Sequence, residues 1–263
     1  MSSQYYEILS HIEPNRSLKN HLINSSNLAI NFIESIPVKE DKDILREIVR
    51  LIGLYHDIGK ATPAFQEYIR EKDEKKKAYL KNNPITKHSL ISAIFTFFVI
   101  NKFLDKENYK GVLRDFYPYA AFIAVRRHHT NLQSIYNDII IDDEQKNVIK
   151  TQIRNIYIDY LKFLPYWDEI YEKLKKFDDY EFFHKHIFYN LIKKCKDKYG
   201  DTLLYLLQQL FSSILLDADR HEASIGQFFE RKEIQPDIVD NYKKIKFDNI
   251  SNEIDRIRNE IYN

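Results

Sequence analysis

Glycine and proline are too scarce in this chain for a protein of many turns. Five Gly and seven Pro occur in 263 residues, whereas a β-rich chain needs turn residues every roughly 8–12 positions. Helical periodicity dominates instead. The expected fold is all-α, with helices over 17–35, 41–57, 63–80, 88–104, 112–128, 142–164, 166–176, 180–198, 201–219 and 239–261. Ser17 is placed to cap the first, whose apolar face is Leu18, Leu22, Leu28, Ala29 and Phe32. Asp201, after Gly200, is placed to cap the helix carrying Leu203, Leu204, Leu207, Phe211, Ile214 and Leu215. Pro37, Pro84, Pro118 and Pro165 fall at or near expected ends or first turns, and the run EKDEKKK at 71–77 reads as a solvated helix end or loop. No repeat or low-complexity segment interrupts the chain. One domain is expected over residues 1–232, with 233–263 as a charged helix packing on it.

The same scarcity removes whole function classes. Gly53, Gly59, Gly111, Gly200 and Gly226 are too far apart for GxxxxGK[ST] or GxGxxG, so phosphate-loop ATPases and dinucleotide-binding folds lose their support. A single cysteine, Cys195, excludes a disulfide scaffold and a thiolate zinc site. With 44% hydrophobic and 30% charged residues, the chain reads as globular. Its first residues lack an apolar run or cleavage signature, and the longest apolar run, near Ile94–Ile100, is far short of a membrane span. A cytoplasmic protein without a membrane partner is the natural expectation. Net charge is +1, so any basic surface for nucleic acid must be local.

Five of the nine histidines, with two aspartates, form an ordered set: His21, His56-Asp57, His88, His128-His129 and Asp219. Imidazole nitrogens and carboxylate oxygens suit first-row transition metals, and one carboxylate can bridge two ions. A two-metal site polarises a phosphodiester, activates water and stabilises the leaving oxygen. Taken singly, a His-Asp pair, a helix histidine or a helix-terminal aspartate has an ordinary structural explanation. Together they are harder to dismiss. His56-Asp57 closes the apolar segment IVRLIGLYHDIGK, and His128-His129 closes YAAFIAVRRHH. Two polar pairs ending two apolar helices imply convergence on one buried polar centre.

The stretch HDIGKATPAFQEYI (56–69) resembles the HD motif of CRISPR-associated nucleases, in which HD is followed by G-K and then by F-Q. KHSLISA (87–93), RRHHT (126–130) and LLDADR (215–220) resemble the later motifs in the same order, and NHLINSSNLA (20–29) resembles the first histidine helix. The likeness spans roughly residues 18–222. It implies an HD-domain helical bundle around a dinuclear metal site. On that likeness His21, His56, Asp57 and Asp219 hold one ion; His88, His128 and His129 hold the second; Asp57 bridges them. The ions implied are two divalent transition metals, Mn, Fe, Co or Ni, with Mg also compatible. Lys60, one turn after His56, matches the motif lysine and could neutralise a phosphate oxygen. Thr130 and Arg220 are weaker candidates for phosphate contact. Helical phase places Asp217 nearer the apolar face than Asp219, while the family pattern selects Asp219.

The implied function is hydrolysis of single-stranded DNA in type I CRISPR antiviral defence. The chain would be a separate nuclease subunit, with a helicase subunit and an RNA-guided surveillance complex as partners. An HD phosphohydrolase acting on dNTPs or cyclic dinucleotides shares the same ligands and is the alternative. A non-catalytic docking module is a third reading, opposed by the intact ligand set. His11, His184, His186 and His221 read as structural or surface residues. Tyr189, Lys193 and Lys194 could contribute to a stacking groove, although most aromatics should pack the core.

Overall fold

The chain enters the fold through a short hairpin that periodicity does not predict. In the computed structural model, which describes residues 7–37, 41–111, 113–131, 138, 141–176 and 185–225, β1 (Leu9–His11) pairs antiparallel with β2 (Arg16–Ser17), Leu9 opposite Ser17 and His11 opposite Arg16. Helix α1 (Leu18–Glu34) follows at once, and the Ser17 side chain accepts from the Asn20 amide as expected of a cap. Next come α2 (Lys42–Tyr55), a 3-10 turn at Ile58–Ala61, α3 (Pro63–Arg70) and α4 (Glu74–Asn82). A second 3-10 turn at Pro84–Thr86 leads into α5 (Ser89–Lys106), followed by α6 (Phe116–Arg127). The remaining described helices are α7 (Asp143–Asn155), α8 (Ile158–Leu161), α9 (Trp167–Lys176) and the long α10 (Lys185–Ile225). The fold is all-α apart from the hairpin, as an HD bundle should be. None of the described helices is long and apolar enough to cross a membrane.

Five helices make the frame. α1 packs on α2 and α10, α6 packs on α5 and α10, and α2 touches α5, α6 and α10. α5 and α6 bury apolar residues around most of their circumference, including Phe95, Phe97, Phe98, Val99, Phe122 and Ile123, which marks them as the interior of the bundle. Where α1 crosses α2 the backbones nearly touch. A Cβ on Gly53 would lie 2.6 Å from Ser26 Cα, so only glycine permits this crossing.

Three expected boundaries move, each for a local reason. The helix expected over 63–80 breaks at Glu71–Asp73, where Asp73 accepts from the Lys76 amide at 2.8 Å and starts a new helix. The charged run at 71–77 is thus a break followed by a first turn. The helix expected over 142–164 ends at Asn155, because Tyr157 donates its amide to Ala61 O of the 3-10 turn at 2.9 Å. The pair expected at 180–198 and 201–219 is one helix, so Asp201 lies within a helix and not at the start of one. A mid-helix glycine costs about 1 kcal/mol, less than abandoning the buried stripe of Leu204, Leu207, Phe211, Ile214 and Leu215 that follows it. The helix expected over 239–261 and the packing of 233–263 lie outside the described residues.

Candidate metal centre

Each metal-site candidate sits where a helix stops or where two elements cross. His56 caps the C-terminus of α2; the backbone then leaves helical geometry at Asp57 and tightens into the 3-10 turn. His128 likewise caps α6, and His88 precedes the first residue of α5. His21 lies in the first turns of α1, and Asp219 near the end of α10. Two groups of potential ligand atoms result, His21, His56, Asp57 and Asp219, and Asp57, His88, His128 and His129, with the atoms of each group within 4.8 Å of one another.

Asp57 belongs to both groups, and its two oxygens divide the work. Oδ2 faces His21 Nε2 at 3.1 Å and His56 Nε2 at 3.5 Å; Oδ1 faces His88 Nε2 at 3.1 Å and His128 Nε2 at 3.2 Å. Asp219 Oδ1 completes the first group, 3.4 Å from His21 Nε2 and 3.5 Å from His56 Nε2. His129 Nε2 completes the second, 3.0 Å from His88 Nε2. Burial alone would raise the pKa of the Asp57 carboxyl. Lys60, His56, His88 and the His128 hydrogen bond overrule it and hold the group well below the usual carboxylate range.

The donor set fits divalent cations. His56 Nδ1 lies 2.8 Å from Gly53 O, and His128 Nδ1 lies 2.5 Å from Val125 O. A carbonyl only accepts, so Nδ1 carries a proton in both rings, and Nε2 is the nitrogen left to bind an ion beside Asp57. His21 presents Nε2 to the same place, 3.2 Å from His56 Nε2. Imidazole nitrogens and carboxylate oxygens converging in a buried space are what a transition-metal ion satisfies. A proton competes for His21. Burial disfavours its charge, but hydrogen bonds to Asp57 and Glu222 outweigh that and raise its pKa to about 8. His88 goes the other way: burial outweighs Asp57 and lowers it to about 4, so the ring is neutral near pH 7.

The motif residues between the histidines set the geometry. Gly59 donates its amide to Ser92 Oγ at 3.0 Å, and a Cβ on Gly59 would lie 2.5 Å from His88 O. The 3-10 turn therefore nests against the start of α5, which ties HDIGK to HSLIS. Phe65 meets the His88 ring edge-on, with centroids 5.1 Å apart. Gln66 acts as an extra stretch of backbone: Oε1 accepts from Leu9 N at 3.0 Å, and Nε2 donates to Leu9 O and Lys60 O, both at 2.8 Å. The F-Q pair thus steadies the His88 ring and clamps the hairpin beside the site.

Lys60 does not open onto the cleft. Its ammonium is buried 2.7 Å from Asp57 Oδ2 and reaches Ser10 O at 3.5 Å. The cleft, a cavity of about 440 Å³, lies between the end of α6 and α10, with His128, His129, Thr130, Gln209, Asp219 and Arg220 among its lining. Thr130 and Arg220 are exposed there. Asp219, at 8% exposure, joins the cluster, while Asp217 is exposed on another face of α10. Helical phase misplaced Asp217 because Leu203, counted with the apolar face, is 37% exposed. The buried arc instead runs through Gln208, Leu215, Asp219 and Glu222.

Two residues near the site were not anticipated. The His11 ring lies edge-on to His21, with centroids 5.2 Å apart, because the hairpin folds over α1; no periodicity signals a three-residue strand. Glu222 bonds His21 from one turn beyond Asp219, a spacing that could have been flagged as a second acid on the same helix face. His221 is half-buried on α10, Lys193 and Lys194 are exposed, and His184 and the side chains of His186 and Tyr189 lie outside the description.

No match was found among curated proteins, and none among solved structures. The family described as "Cas3, HD domain" matches residues 4–202. That span takes in His21, His56, Asp57, His88, His128 and His129, while Asp219 lies beyond it and is brought in by α10. Covering more than half of the 263 residues, the match means that the chain belongs to the Cas3 HD-domain family, the HD-type metal-dependent nucleases of CRISPR interference.

Proposed function

We propose that the chain hydrolyses phosphodiester bonds of single-stranded DNA with two divalent transition-metal ions, one on each side of Asp57. The observation that carries this reading is the division of the Asp57 oxygens between two imidazole sets. His21, His56, Asp57 and Asp219 would hold one ion, and Asp57, His88, His128 and His129 the other. When bound, such ions supply Lewis acidity at the phosphate and lower the pKa of water. Mn, Fe, Co and Ni suit the histidine-rich donor set, and Mg is compatible with its carboxylates.

The protein supplies position and charge. Lys60 keeps Asp57 ionised from below, on the side away from the cleft. Gly53 O and Val125 O fix the His56 and His128 tautomers. Thr130 and Arg220 line the approach and can bind phosphate oxygens of the incoming strand. Burial of Asp57 and His56 excludes bulk water and strengthens these interactions.

Access favours a single strand. A flexible strand can bend into a recess of about 440 Å³, whereas a stiff duplex cannot. A net charge of +1 also supplies no strong field to hold a duplex. A separate helicase subunit, recruited to DNA opened by an RNA-guided surveillance complex in the cytoplasm, would deliver the strand. The test compares equal amounts of single-stranded, bubble-containing and blunt duplex DNA with Mn²⁺ or Ni²⁺ supplied. Cleavage of the first two, sparing blunt duplex, is expected. Equal cutting of blunt duplex refutes the access argument. Turnover of dNTPs or cyclic dinucleotides without cutting of any DNA moves the activity to nucleotide hydrolysis.

A further inference from the structure

Three histidines point Nε2 at Asp57 with a known partner on Nδ1, but one gets that partner from far away. His56 and His128 each use the carbonyl three residues earlier, Gly53 O and Val125 O. Both stand at helix C-termini, where carbonyls are left without intrahelical partners. His21 stands inside α1, where the preceding carbonyls are taken up by the helix itself. The local device is closed to it. Its Nδ1 instead lies 2.5 Å from Glu222 Oε2, a carboxylate 201 residues away and 1% exposed. That carboxylate is held in turn. Arg16 of β2 pairs with Oε2 at 2.9 Å and also donates to the Glu222 carbonyl, while Asn24 donates to Oε1 at 3.4 Å. Glu222 is not in either group of potential ligand atoms; it meets the ring on the nitrogen opposite the one that faces Asp57.

We infer that Glu222 is a positioning residue: by accepting from His21 Nδ1 it fixes the tautomer and ring orientation that present Nε2 to the ion held with His56, Asp57 and Asp219. Carboxylates in this relation to a ligand histidine also raise its basicity, and losing one typically costs about 10–100-fold in metal affinity. The buried half of the centre thus depends on two helices meeting, α1 through His21 and α10 through Glu222, while Arg16 of β2 tethers the carboxylate to the hairpin. The inference rests on the proposed two-ion reading of the site.

The experiment is calorimetric Mn²⁺ titration of the full chain and its variants, with melting curves alongside. Wild type should bind two ions. Glu222→Ala should weaken one of them about 10–100-fold and leave the other unchanged. Glu222→Gln keeps an acceptor oxygen and should recover most of that loss. Arg16→Met removes the tether but leaves the carboxylate on His21, so it should lower the melting temperature while keeping both ions. As a check that needs no variant, ¹⁵N spectra of wild type loaded with diamagnetic Zn²⁺ should show the His21 proton on Nδ1. A proton on Nε2, unchanged binding in Glu222→Ala, or loss of both ions together would overturn the inference. So would an Arg16→Met variant that loses the ion as Glu222→Ala does, since Glu222 would then be only a structural tether. A wild-type chain that binds no ion would instead sink the proposed function itself, and the inference with it.

Discussion

The two halves of the candidate centre share Asp57 but differ in burial and in the elements that build them. All members of the set His21, His56, Asp57 and Asp219 are buried. In the set Asp57, His88, His128 and His129, His88 is partly open and His129 is exposed. The buried set is gathered from α1, the end of α2 and α10, where three of the five frame helices meet. The open set is gathered from the N-terminus of α5 and the C-terminus of α6, beside the cleft. The same ligand types therefore serve two purposes. A fully buried set favours tight retention, because releasing its ion leaves buried groups uncompensated. A set at the rim favours exchange and contact with substrate.

Removing what the halves share should have the largest effect. Asp57→Ala deletes the carboxylate between the two sets and leaves Lys60 buried without its partner. Elemental analysis should find both ions lost, and DNA cleavage should fall by more than the roughly 10–100-fold that losing a supporting partner costs. Cleavage at the wild-type rate would break the assignment at its centre.

The next effect separates the halves. Timed chelation of the Mn²⁺-loaded chain should release metal in two phases, fast from the open set and slow from the buried one. His129→Ala should remove the fast phase alone, and Asp219→Asn the slow phase alone. Asp217→Asn, on an exposed position of α10, should change neither. Both ions leaving together from wild type would show that burial does not distinguish the sets.

The smallest effect is on the stability of the metal-free chain. Burial lowers the pKa of His88 to about 4, burial with Lys60 and His21 does the same to His11, and burial with His128 lowers His129 to about 3. Against an unfolded value of about 6.5, the folded chain binds fewer protons between those limits. Stability therefore falls as pH drops from about 6.5 toward 4. His21 opposes this: raised to about 8, its contribution is full below about 6.5 and is lost as pH rises through 8. Asp57, Asp219 and Glu222, all held low, add a further loss in stronger acid. Three losses outweigh one gain, so the melting temperature in EDTA should be modestly lower near pH 5 than near pH 7. A higher value near pH 5 would contradict these environments.

Much of the frame was legible because apolar pattern reports burial on a single helix: α1 and α2 carry an apolar stripe, and α5 and α6 are apolar nearly all round. What periodicity does not report is how one helix relates to another chain segment. It joined α3 to α4 and α7 to α8, because the caps and the Tyr157–Ala61 bond that separate them are not apolar signals. It split α10 at Gly200, because a glycine marks a break only when nothing downstream rewards continuing. Of the ligand candidates, His56-Asp57 and His128-His129 were legible as polar pairs ending apolar runs, whereas His21, His88 and Asp219 were singled out by the family likeness. His11 and Glu222 were not legible, since their relation to His21 exists only once the hairpin and α10 have folded onto α1. Gln66 was visible as a motif letter, but its pairing with Leu9 belongs to the same tertiary layer.

Anomalous diffraction at the Mn edge, from crystals of the Mn²⁺-loaded chain, tests the central claim most directly. Two peaks are expected, one on the Oδ2 side of Asp57 among His21, His56 and Asp219, and one on the Oδ1 side among His88, His128 and His129. A single peak bound through one Asp57 oxygen, or peaks away from Asp57, would contradict the shared-carboxylate centre.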